Sequence, residues 1–179
     1  MTRVFVAVKL PFEAKEKITY IGKTLLKTNS RLNMVNPDIS HITLKFIGDV
    51  DDKKLDEIIK FLSGVKFSTY PICLKGVSLN SKKLPRIVWI NGSDKGETSE
   101  LAGIIEEGLF SLGIEKEKRP FKIHATIARI KEWDSSLIPA IKLFENEDIC
   151  EYDVCGFKLK KSTLTPTGPI YEDIMEVSF

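Results

Sequence analysis

The sequence HITLKFIG at residues 41–48 decides how this chain is organised, because HATIARIK at residues 124–131 repeats its pattern. Each stretch begins with His-x-Thr-aliphatic, and its first residue is a histidine, His41 in one and His124 in the other. The chain has no other histidine, and both are followed by a threonine two positions later. One short motif is weak evidence, but two matching tetrapeptides are improbable as a coincidence. We infer that the two stretches are equivalent parts of a duplicated unit.

Equivalent features surround both motifs at the same spacing. The apolar segment RVFV at residues 3–6 precedes His41 by the same interval at which RIVW at residues 86–89 precedes His124. Asp51, a candidate helix cap, corresponds in the same way to Asp134. Each half therefore predicts the order strand, helix, strand with a histidine, helix, strand.

Duplication predicts two similar lobes related by a pseudo-twofold axis, with equivalent positions facing each other across a cleft. We expect residues 1–179 to form a single domain of two interleaved lobes, from repeat halves of about 1–83 and 84–179. Apolar periodicity and capping residues predict the individual elements. The predicted strands are 3–10, 39–47, 69–79, 86–91, 121–130, 152–161 and 170–178, and the predicted helices are 12–28, 51–62, 98–112 and 134–144.

Alternation along each histidine strand places the histidine and the threonine on one face, because residues i and i+2 of a strand point the same way. The outward face then carries three polar side chains from each strand: His41, Thr43 and Lys45, and Lys122, His124 and Thr126. The core face carries the apolar residues between them: Ile42, Leu44, Phe46, Ile123, Ala125 and Ile127. Strict alternation puts Arg129 on the face opposite His124 unless the strand ends or bulges before it.

Two imidazoles and two hydroxyls that face one cleft suit the cleavage of a phosphodiester. One imidazole can be neutral and the other charged near neutral pH, because the ordinary pKa of histidine is about 6.5. The neutral ring removes a proton from an attacking water or hydroxyl, and the charged ring protonates the leaving oxygen. The threonine hydroxyls, with a Lys or Arg, bind the non-bridging oxygens. Neither motif positions a Ser or Cys nucleophile for acyl transfer.

Composition limits the class of protein. The 179 residues carry 27 Lys and Arg against 25 Asp and Glu, which excludes a strongly basic tail and leaves a local basic groove open. The apolar stretch at the start is interrupted by Lys9 and is too short for a signal-peptide core, and no run reaches the roughly 18 apolar residues of a membrane helix. Three cysteines without a Cys-x-x-Cys pair predict reduced thiols. We therefore expect a cytoplasmic protein with no membrane segment and no metal site.

Four segments resemble the 2H phosphoesterase superfamily, whose members carry paired His-x-Thr-x tetrapeptides. The wider sequence looks like its LigT branch, the RNA 2′,3′-cyclic phosphodiesterases first described as 2′-5′ RNA ligases. The segments are residues 3–11 (RVFVAVKLP), 41–48 (HITLKFIG), 119–129 (RPFKIHATIAR) and 162–171 (STLTPTGPIY). They span nearly the whole chain in the expected order.

The resemblance implies a bilobal α+β fold, in which two antiparallel sheets with helices on the outside surround a central cleft. It also implies hydrolysis of the 2′,3′-cyclic phosphate at an RNA end to a 2′-phosphate, without a cofactor. On the pattern of the family, His41 is the proton donor to the leaving 3′ oxygen and His124 is the proton acceptor that activates water. Thr43 and Thr126 contact the phosphate.

Cations near the motifs are candidate ligands of the substrate. Arg129 and Lys45 are the candidate phosphate contacts, and Arg119 is a candidate for steering RNA. The partner implied by the resemblance is RNA with a 2′,3′-cyclic phosphate end, including tRNA fragments. The chain is expected to act as a monomer.

Three other functions remain as alternatives. ATP-independent 2′-5′ joining is the reverse chemistry, with a 5′-hydroxyl in place of water, and the same two histidines serve it. The substrate could also be a small cyclic nucleotide or a cyclic phosphate of ADP-ribose. A non-catalytic RNA-binding module does not need two intact tetrapeptides. The sequence therefore favours an RNA-end hydrolase.

Overall fold

The computed structural model describes residues 1–166 and 168–179. These residues form nine strands, four α-helices and a short 3-10 helix at Pro37–Ile39. The strands are β1 (Thr2–Lys9), β2 (Arg31–Met34), β3 (His41–Val50), β4 (Tyr70–Leu79), β5 (Ile87–Ser93), β6 (His124–Glu132), β7 (Asp148–Val154), β8 (Gly156–Thr165) and β9 (Gly168–Ser178). The helices are α1 (Phe12–Leu25), α2 (Asp52–Ser63), α3 (Glu97–Ser111) and α4 (Leu137–Lys142).

The nine strands form one continuous antiparallel sheet, which divides into two smaller sheets at the centre of the molecule. One contains β7, β4, β5 and β6 in that order, with β2 paired to β6, and the other contains β3, β1, β8 and β9. The pair Ile42 and Ala125 joins β3 to β6 and so connects the two sheets. The predicted α+β fold with two antiparallel sheets is confirmed.

The strand order is symmetric about the pair Ile42 and Ala125, each of which directly follows a motif histidine. The order β4-β5-β6 on one side mirrors β8-β1-β3 on the other, as expected if β1, β3 and β4 correspond to β5, β6 and β8. Helix α1 packs against β6 and β7, whereas its counterpart α3 packs against β3. Each histidine strand is therefore covered by the first helix of the other half. The boundary between the halves near residue 83 stays a prediction.

Of the two predicted helix caps, Asp51 caps a helix and Asp134 binds the turn before one. Asp51 precedes α2, and its carboxylate accepts the Lys54 N–H at 2.8 Å, as predicted for a helix cap. The Asp134 carboxylate accepts the Ser136 N–H at 2.9 Å, and Ser136 is the residue before α4 begins. Asp134 therefore fixes the turn that leads into α4 rather than the first turn of that helix.

The strand predicted over residues 152–161 is two strands, β7 and β8. Cys155 separates them, and at the neighbouring Gly156 the strand β9 approaches so closely that a Cβ would lie 2.1 Å from the Val177 carbonyl oxygen. The break carries the chain from one sheet to the other, because β7 pairs with β4 and β8 pairs with β1 and β9. The four-residue strand β2 has no counterpart among the predicted elements.

A β-bulge at the same position in β3 and in β6 changes which residues face the cleft. The ladder of β3 with β1 skips Leu44, and the ladder of β6 with β5 skips the equivalent Ile127. The residue five positions after each histidine thereby returns to the face of that histidine, and these residues are Phe46 and Arg129. Phe46 is 52% exposed, whereas Lys45 is 2% exposed. The faces predicted for Lys45 and Phe46 by strict alternation are therefore wrong.

The helices of the structure are short. The longest helix within residues 1–166 and 168–179 is α3, with 15 residues. None of the described helices is long and apolar enough to cross a membrane.

Candidate active site

A cavity of about 520 Å³ lies along β3 and β6. The four polar side chains of the two motifs line it: His41, Thr43, His124 and Thr126. The register of the central β3–β6 pair sets His41 across from Thr126, and Thr43 across from His124. The structure therefore brings the two imidazoles and two hydroxyls of the motifs into one cavity.

Each imidazole is held by a backbone carbonyl two residues earlier. Nδ1 of His41 lies 2.8 Å from the Ile39 carbonyl oxygen, and Nδ1 of His124 lies 2.8 Å from the Lys122 carbonyl oxygen. A carbonyl oxygen can only accept, so Nδ1 carries the hydrogen and donates it in both rings. This leaves Nε2 of each ring as the atom that can accept a proton when neutral and donate one when charged.

Aromatic rings hold both imidazoles in place. The His41 ring lies 4.8 Å from the Phe5 ring and 5.4 Å from the Tyr171 ring, in an edge-on arrangement with the latter. The His124 ring lies 4.4 Å from Trp89, whose indole N–H donates to the Ser78 hydroxyl at 2.8 Å. These contacts restrict rotation of the two imidazoles.

The two imidazoles have different electrostatic surroundings. Burial lowers the pKa of His41, and the positive charges of Lys160 and His124 lower it further, while the hydrogen bond to the Ile39 carbonyl raises it. Lys160 is a fixed neighbour, because its ammonium is paired with the Asp173 carboxylate. In the unliganded protein His41 therefore spends more of its time neutral at neutral pH than an ordinary histidine does.

We expect an NMR pH titration to show this lowered pKa directly. The chain has two histidines, so the spectrum contains the ring signals of two imidazoles. The signal that disappears in His124→Ala belongs to His124, and the other belongs to His41. The His41 signal should titrate below about pH 6.5, the ordinary histidine value. Lys160→Met removes a positive charge and should move the pKa of His41 upward. The matched change Lys161→Met, at a lysine paired with Glu172, should leave it unchanged. A His41 pKa at or above the ordinary value contradicts this account.

The two candidate cations lie in different places. Arg129 lines the cavity, because the bulge in β6 returns it to the face of His124. Lys45 does not line the cavity: its buried ammonium donates to the Glu106 carboxylate at 2.8 Å and to the Glu115 carbonyl oxygen at 2.7 Å. The prediction that Lys45 binds phosphate is therefore wrong, because the equivalent bulge in β3 turns its side chain into the core.

Several residues of the cavity were not singled out by the sequence. Besides the motif residues and Arg129, the lining includes Asn33, Phe46, Ser162 and Tyr171. Phe46 is equivalent to Arg129 in the internal repeat. The sequence would have placed both at the cavity if it had revealed the bulge that turns them to the face of the histidines. Ser162 and Tyr171 belong to the β8–β9 hairpin, which pairs these two residues across from each other. Residues 162–171, which contain them, are one of the four segments that resemble the 2H phosphoesterases. The apolar periodicity of this segment does not predict that it lines the cavity.

The cavity offers acid–base groups and hydrogen-bond donors rather than a set of metal ligands. Among residues 1–166 and 168–179, no three His, Cys, Asp or Glu side chains lie together in a way that could hold a metal ion. The groups that face a substrate are instead two imidazole Nε2 atoms, two hydroxyls and a guanidinium. This combination can transfer protons on both sides of a phosphate and neutralise its oxygens.

Known sequences similar to this chain match it along almost its whole length. The sequence model of the LigT-like phosphoesterases matches twice, over residues 8–89 and 90–171. The RNA 2′,3′-cyclic phosphodiesterase of Archaeoglobus fulgidus is 38% identical over 173 residues, which cover 96% of this chain and 97% of that protein. The protein of the same name from Methanocaldococcus jannaschii is 37% identical over 180 residues, with coverage of 97% and 99%.

Solved structures share the fold. The structure of Escherichia coli LigT in complex with 3′-AMP is similar, with a TM-score of 0.83 at 22% identity over 99% of this chain and 98% of that chain. The structure of TT0787 from Thermus thermophilus also has a TM-score of 0.83, at 24% identity over 98% and 97% of the two chains. Both similarities show that the strands and helices of this chain are arranged as in those proteins.

Proposed function

The chain belongs to the LigT-like phosphoesterase family, and from this we propose that it hydrolyses the 2′,3′-cyclic phosphate at RNA ends to a 2′-phosphate, with His41 and His124 as the acid–base pair. Relatives 38% and 37% identical over nearly the full length bear the name RNA 2′,3′-cyclic phosphodiesterase. The observation that carries the mechanism is the shared cavity, in which both imidazoles keep Nε2 free of the carbonyl that binds Nδ1.

The reaction needs one proton on each side of the phosphorus. The oxygen of a water molecule attacks the phosphorus, and the bond from phosphorus to the 3′ oxygen breaks, so the phosphate stays on the 2′ oxygen. His124 accepts a proton from the water, and His41 gives its proton to the 3′ oxygen. The hydroxyls of Thr43 and Thr126 and the guanidinium of Arg129 bind the non-bridging oxygens as negative charge develops. Each ring ends in the protonation state from which the other began.

Unequal surroundings support this division of roles between two otherwise equivalent histidines. Phe46 and Tyr171 line the cavity on the His41 side, and aromatic faces bind nucleobases and ribose. Arg129 occupies the position equivalent to Phe46 and suits the phosphate oxygens. A nucleoside on the aromatic side brings its 3′ oxygen towards His41. The bound phosphate anion also favours the charged form of His41, which opposes the lowered pKa of the unliganded state.

Finer aspects of the activity belong to the same proposal. A complete set of catalytic groups lies within one chain, which supports action as a monomer. The substrate is RNA with a cyclic phosphate end, tRNA fragments included, and the cytoplasm is the compartment where such ends would be met. Lys45 is removed from the set of substrate ligands, and Arg129 remains in it.

We expect hydrolysis to continue in the presence of EDTA, because the chain itself supplies every proton transfer and phosphate contact. The test uses an RNA oligonucleotide with a 2′,3′-cyclic phosphate and determines whether the product carries a 2′- or a 3′-phosphate. A 2′-phosphate product in EDTA supports the proposal. A 3′-phosphate product contradicts the roles of the two histidines, and a loss of activity restored by Zn²⁺ or Mg²⁺ contradicts the metal-independent mechanism.

The same assay separates the alternative functions. Joining of the cyclic end to an RNA with a 5′-hydroxyl, in preference to hydrolysis, indicates a 2′-5′ ligase. Turnover of a cyclic mononucleotide that exceeds turnover of RNA indicates a phosphodiesterase for small nucleotides. Binding of the RNA without turnover indicates a binding module.

A further inference from the structure

A second cavity of about 650 Å³ adjoins the catalytic cavity at the ring of Phe46. Phe46 lines both cavities, and the second is otherwise lined by Ile47 and by residues 113–119. Phe46, which is 52% exposed, is therefore the residue that the two cavities share.

A buried lysine holds the wall of the second cavity against β3. The Lys45 ammonium donates to the Glu115 carbonyl oxygen at 2.7 Å and to the Glu106 carboxylate at 2.8 Å. The same carboxylate oxygen accepts the Glu117 N–H at 2.7 Å. The segment 113–119 is thus fixed to the histidine strand by hydrogen bonds to its backbone, although its own side chains are largely exposed.

This wall is the counterpart of a wall of the catalytic cavity. Residues 114–117 are equivalent to β2 under the repeat that relates His124 to His41, and β2 lines the catalytic cavity through Asn33 and Met34. The wall beside one histidine strand is therefore repeated beside the other. Strand pairing with β6 holds the first wall, and Lys45 holds the second.

Positive charge is concentrated at the far end of the wall. In the described part of the chain, Lys118 and Arg119 form no ion pair or hydrogen bond, whereas the Lys116 ammonium is paired with the Glu107 carboxylate. The carboxylates of Glu115 and Glu117 flank Lys116, so the first part of the wall repels a phosphate. An anion in this cavity is therefore directed to Lys118 and Arg119.

We propose that the nucleotide on the 5′ side of the cyclic end binds in the second cavity, with its phosphate held by Lys118 and Arg119. The inference rests on the proposed function. When the 2′ and 3′ oxygens close the cyclic phosphate, the strand can continue through the 5′ oxygen of the terminal nucleoside alone. A terminal nucleoside against Phe46 then directs the strand into the second cavity. The preferred substrate is accordingly an RNA of two or more nucleotides, and a cyclic mononucleotide is a poorer one.

The experiment compares kcat/KM for a 2′,3′-cyclic mononucleotide with that for a trinucleotide bearing the same cyclic end. The wild-type chain should prefer the trinucleotide by about tenfold or more, as expected for added contacts between cations and a phosphate. The double variant Lys118→Gln/Arg119→Gln should lose most of this preference and keep the wild-type kcat/KM on the mononucleotide. The slope of log affinity for the trinucleotide against log salt should fall in magnitude by about 0.7 for each lost phosphate contact.

A matched control removes the same charge elsewhere. Lys82 and Lys83 are exposed in the turn between β4 and β5 and line neither cavity. Lys82→Gln/Lys83→Gln should therefore keep the preference for the trinucleotide. Equal losses in the two double variants, or a wild-type chain that does not distinguish the two substrates, overturn the second-cavity proposal.

Binding without turnover separates this inference from the proposed function. Fluorescence anisotropy with a trinucleotide and a mononucleotide that both end in a 2′-phosphate measures the length preference without any reaction. If the wild-type chain hydrolyses neither cyclic substrate, the proposed function fails, and a length preference that depends on Lys118 and Arg119 still supports the cavity as a nucleotide site. If it hydrolyses the mononucleotide as well as the trinucleotide, the function stands and the second-cavity inference fails.

Discussion

The variants His41→Ala and His124→Ala should each lower kcat for cyclic phosphate hydrolysis by about 10²–10⁴, the usual contribution of a positioned acid or base. His41→Ala removes the proposed proton donor, so the 3′ oxygen must leave as an alkoxide. His124→Ala removes the proposed base, so water must attack without losing its proton at the same time. Steady-state kinetics with a cyclic-ended RNA give the size of each loss.

Controls on these variants separate chemistry from folding. Each imidazole packs on aromatic rings, His41 on Phe5 and Tyr171 and His124 on Trp89. We therefore expect some loss of stability, which urea unfolding measures independently of kcat. The double variant should cost little more than the worse single variant, because the two groups act in one step. Near-wild-type turnover in either single variant would exclude the acid–base pair.

The sequence predicts the symmetric part of the site and not the part that breaks the symmetry. The His-x-Thr spacing and the internal repeat predict that His41 and His124 meet, since both depend on periodicity alone. Phe46 and Arg129 occupy equivalent positions, but their location depends on a bulge one residue after each threonine. A bulge shifts the register by one residue, so every side chain beyond it points to the opposite face of the strand. Neither motif has a glycine at that position, which would have indicated a bulge.

Other elements escaped prediction because they depend on distant parts of the chain. The break between β7 and β8 occurs where β9 passes against Gly156, a contact that no local pattern encodes. β2 exists because β6 offers it a free edge for four residues. The predicted helices, in contrast, end within a few residues of their observed bounds, because apolar spacing and caps such as Asp51 are local signals.

Duplication supplies two chemically equal histidines, and the surroundings make them unequal. Both rings donate Nδ1–H to a carbonyl two residues earlier, so their tautomers and free Nε2 atoms are the same. Burial and the charge of Lys160 act on His41 and lower its pKa. Phe46 and Arg129 both line the cavity, and in the proposed function Phe46 contacts the nucleoside and Arg129 the phosphate. The lowered pKa of His41 by itself opposes its proposed role as the proton donor, so this role depends on the bound phosphate anion, which favours the charged ring.

The variant Lys45→Met should lower the free energy of unfolding by roughly 2–3 kcal/mol. Methionine retains an apolar side chain of similar length and removes the ammonium, so the Glu115 carbonyl oxygen and the Glu106 carboxylate lose a donor. The side chain of Lys45 is 2% exposed, so water cannot readily replace the ammonium. Urea unfolding at neutral pH measures the loss.

Lys54 offers a matched control with the same bonding pattern at the surface. Its ammonium donates to the Glu57 carboxylate at 2.5 Å and to the Leu112 carbonyl oxygen at 2.8 Å, and its side chain is 33% exposed. Lys54→Met should cost less than about 1 kcal/mol, as is usual for exposed ion pairs. Equal losses at the two positions would show that burial of Lys45 contributes nothing to its effect.

The pH dependence gives a second check on Lys45. The pKa of Glu106 lies below its ordinary value, although burial alone would raise it, because the Glu117 N–H and the Lys45 ammonium stabilise the carboxylate. A carboxylate with a lowered pKa contributes stability above its unfolded pKa, and this contribution is lost as the pH falls through its folded pKa. Lys45→Met removes part of that contribution, so its cost should be largest at neutral pH and should shrink as the pH falls through the lowered pKa of Glu106. A cost that does not change with pH would mean that Lys45 stabilises the wall through the Glu115 carbonyl alone.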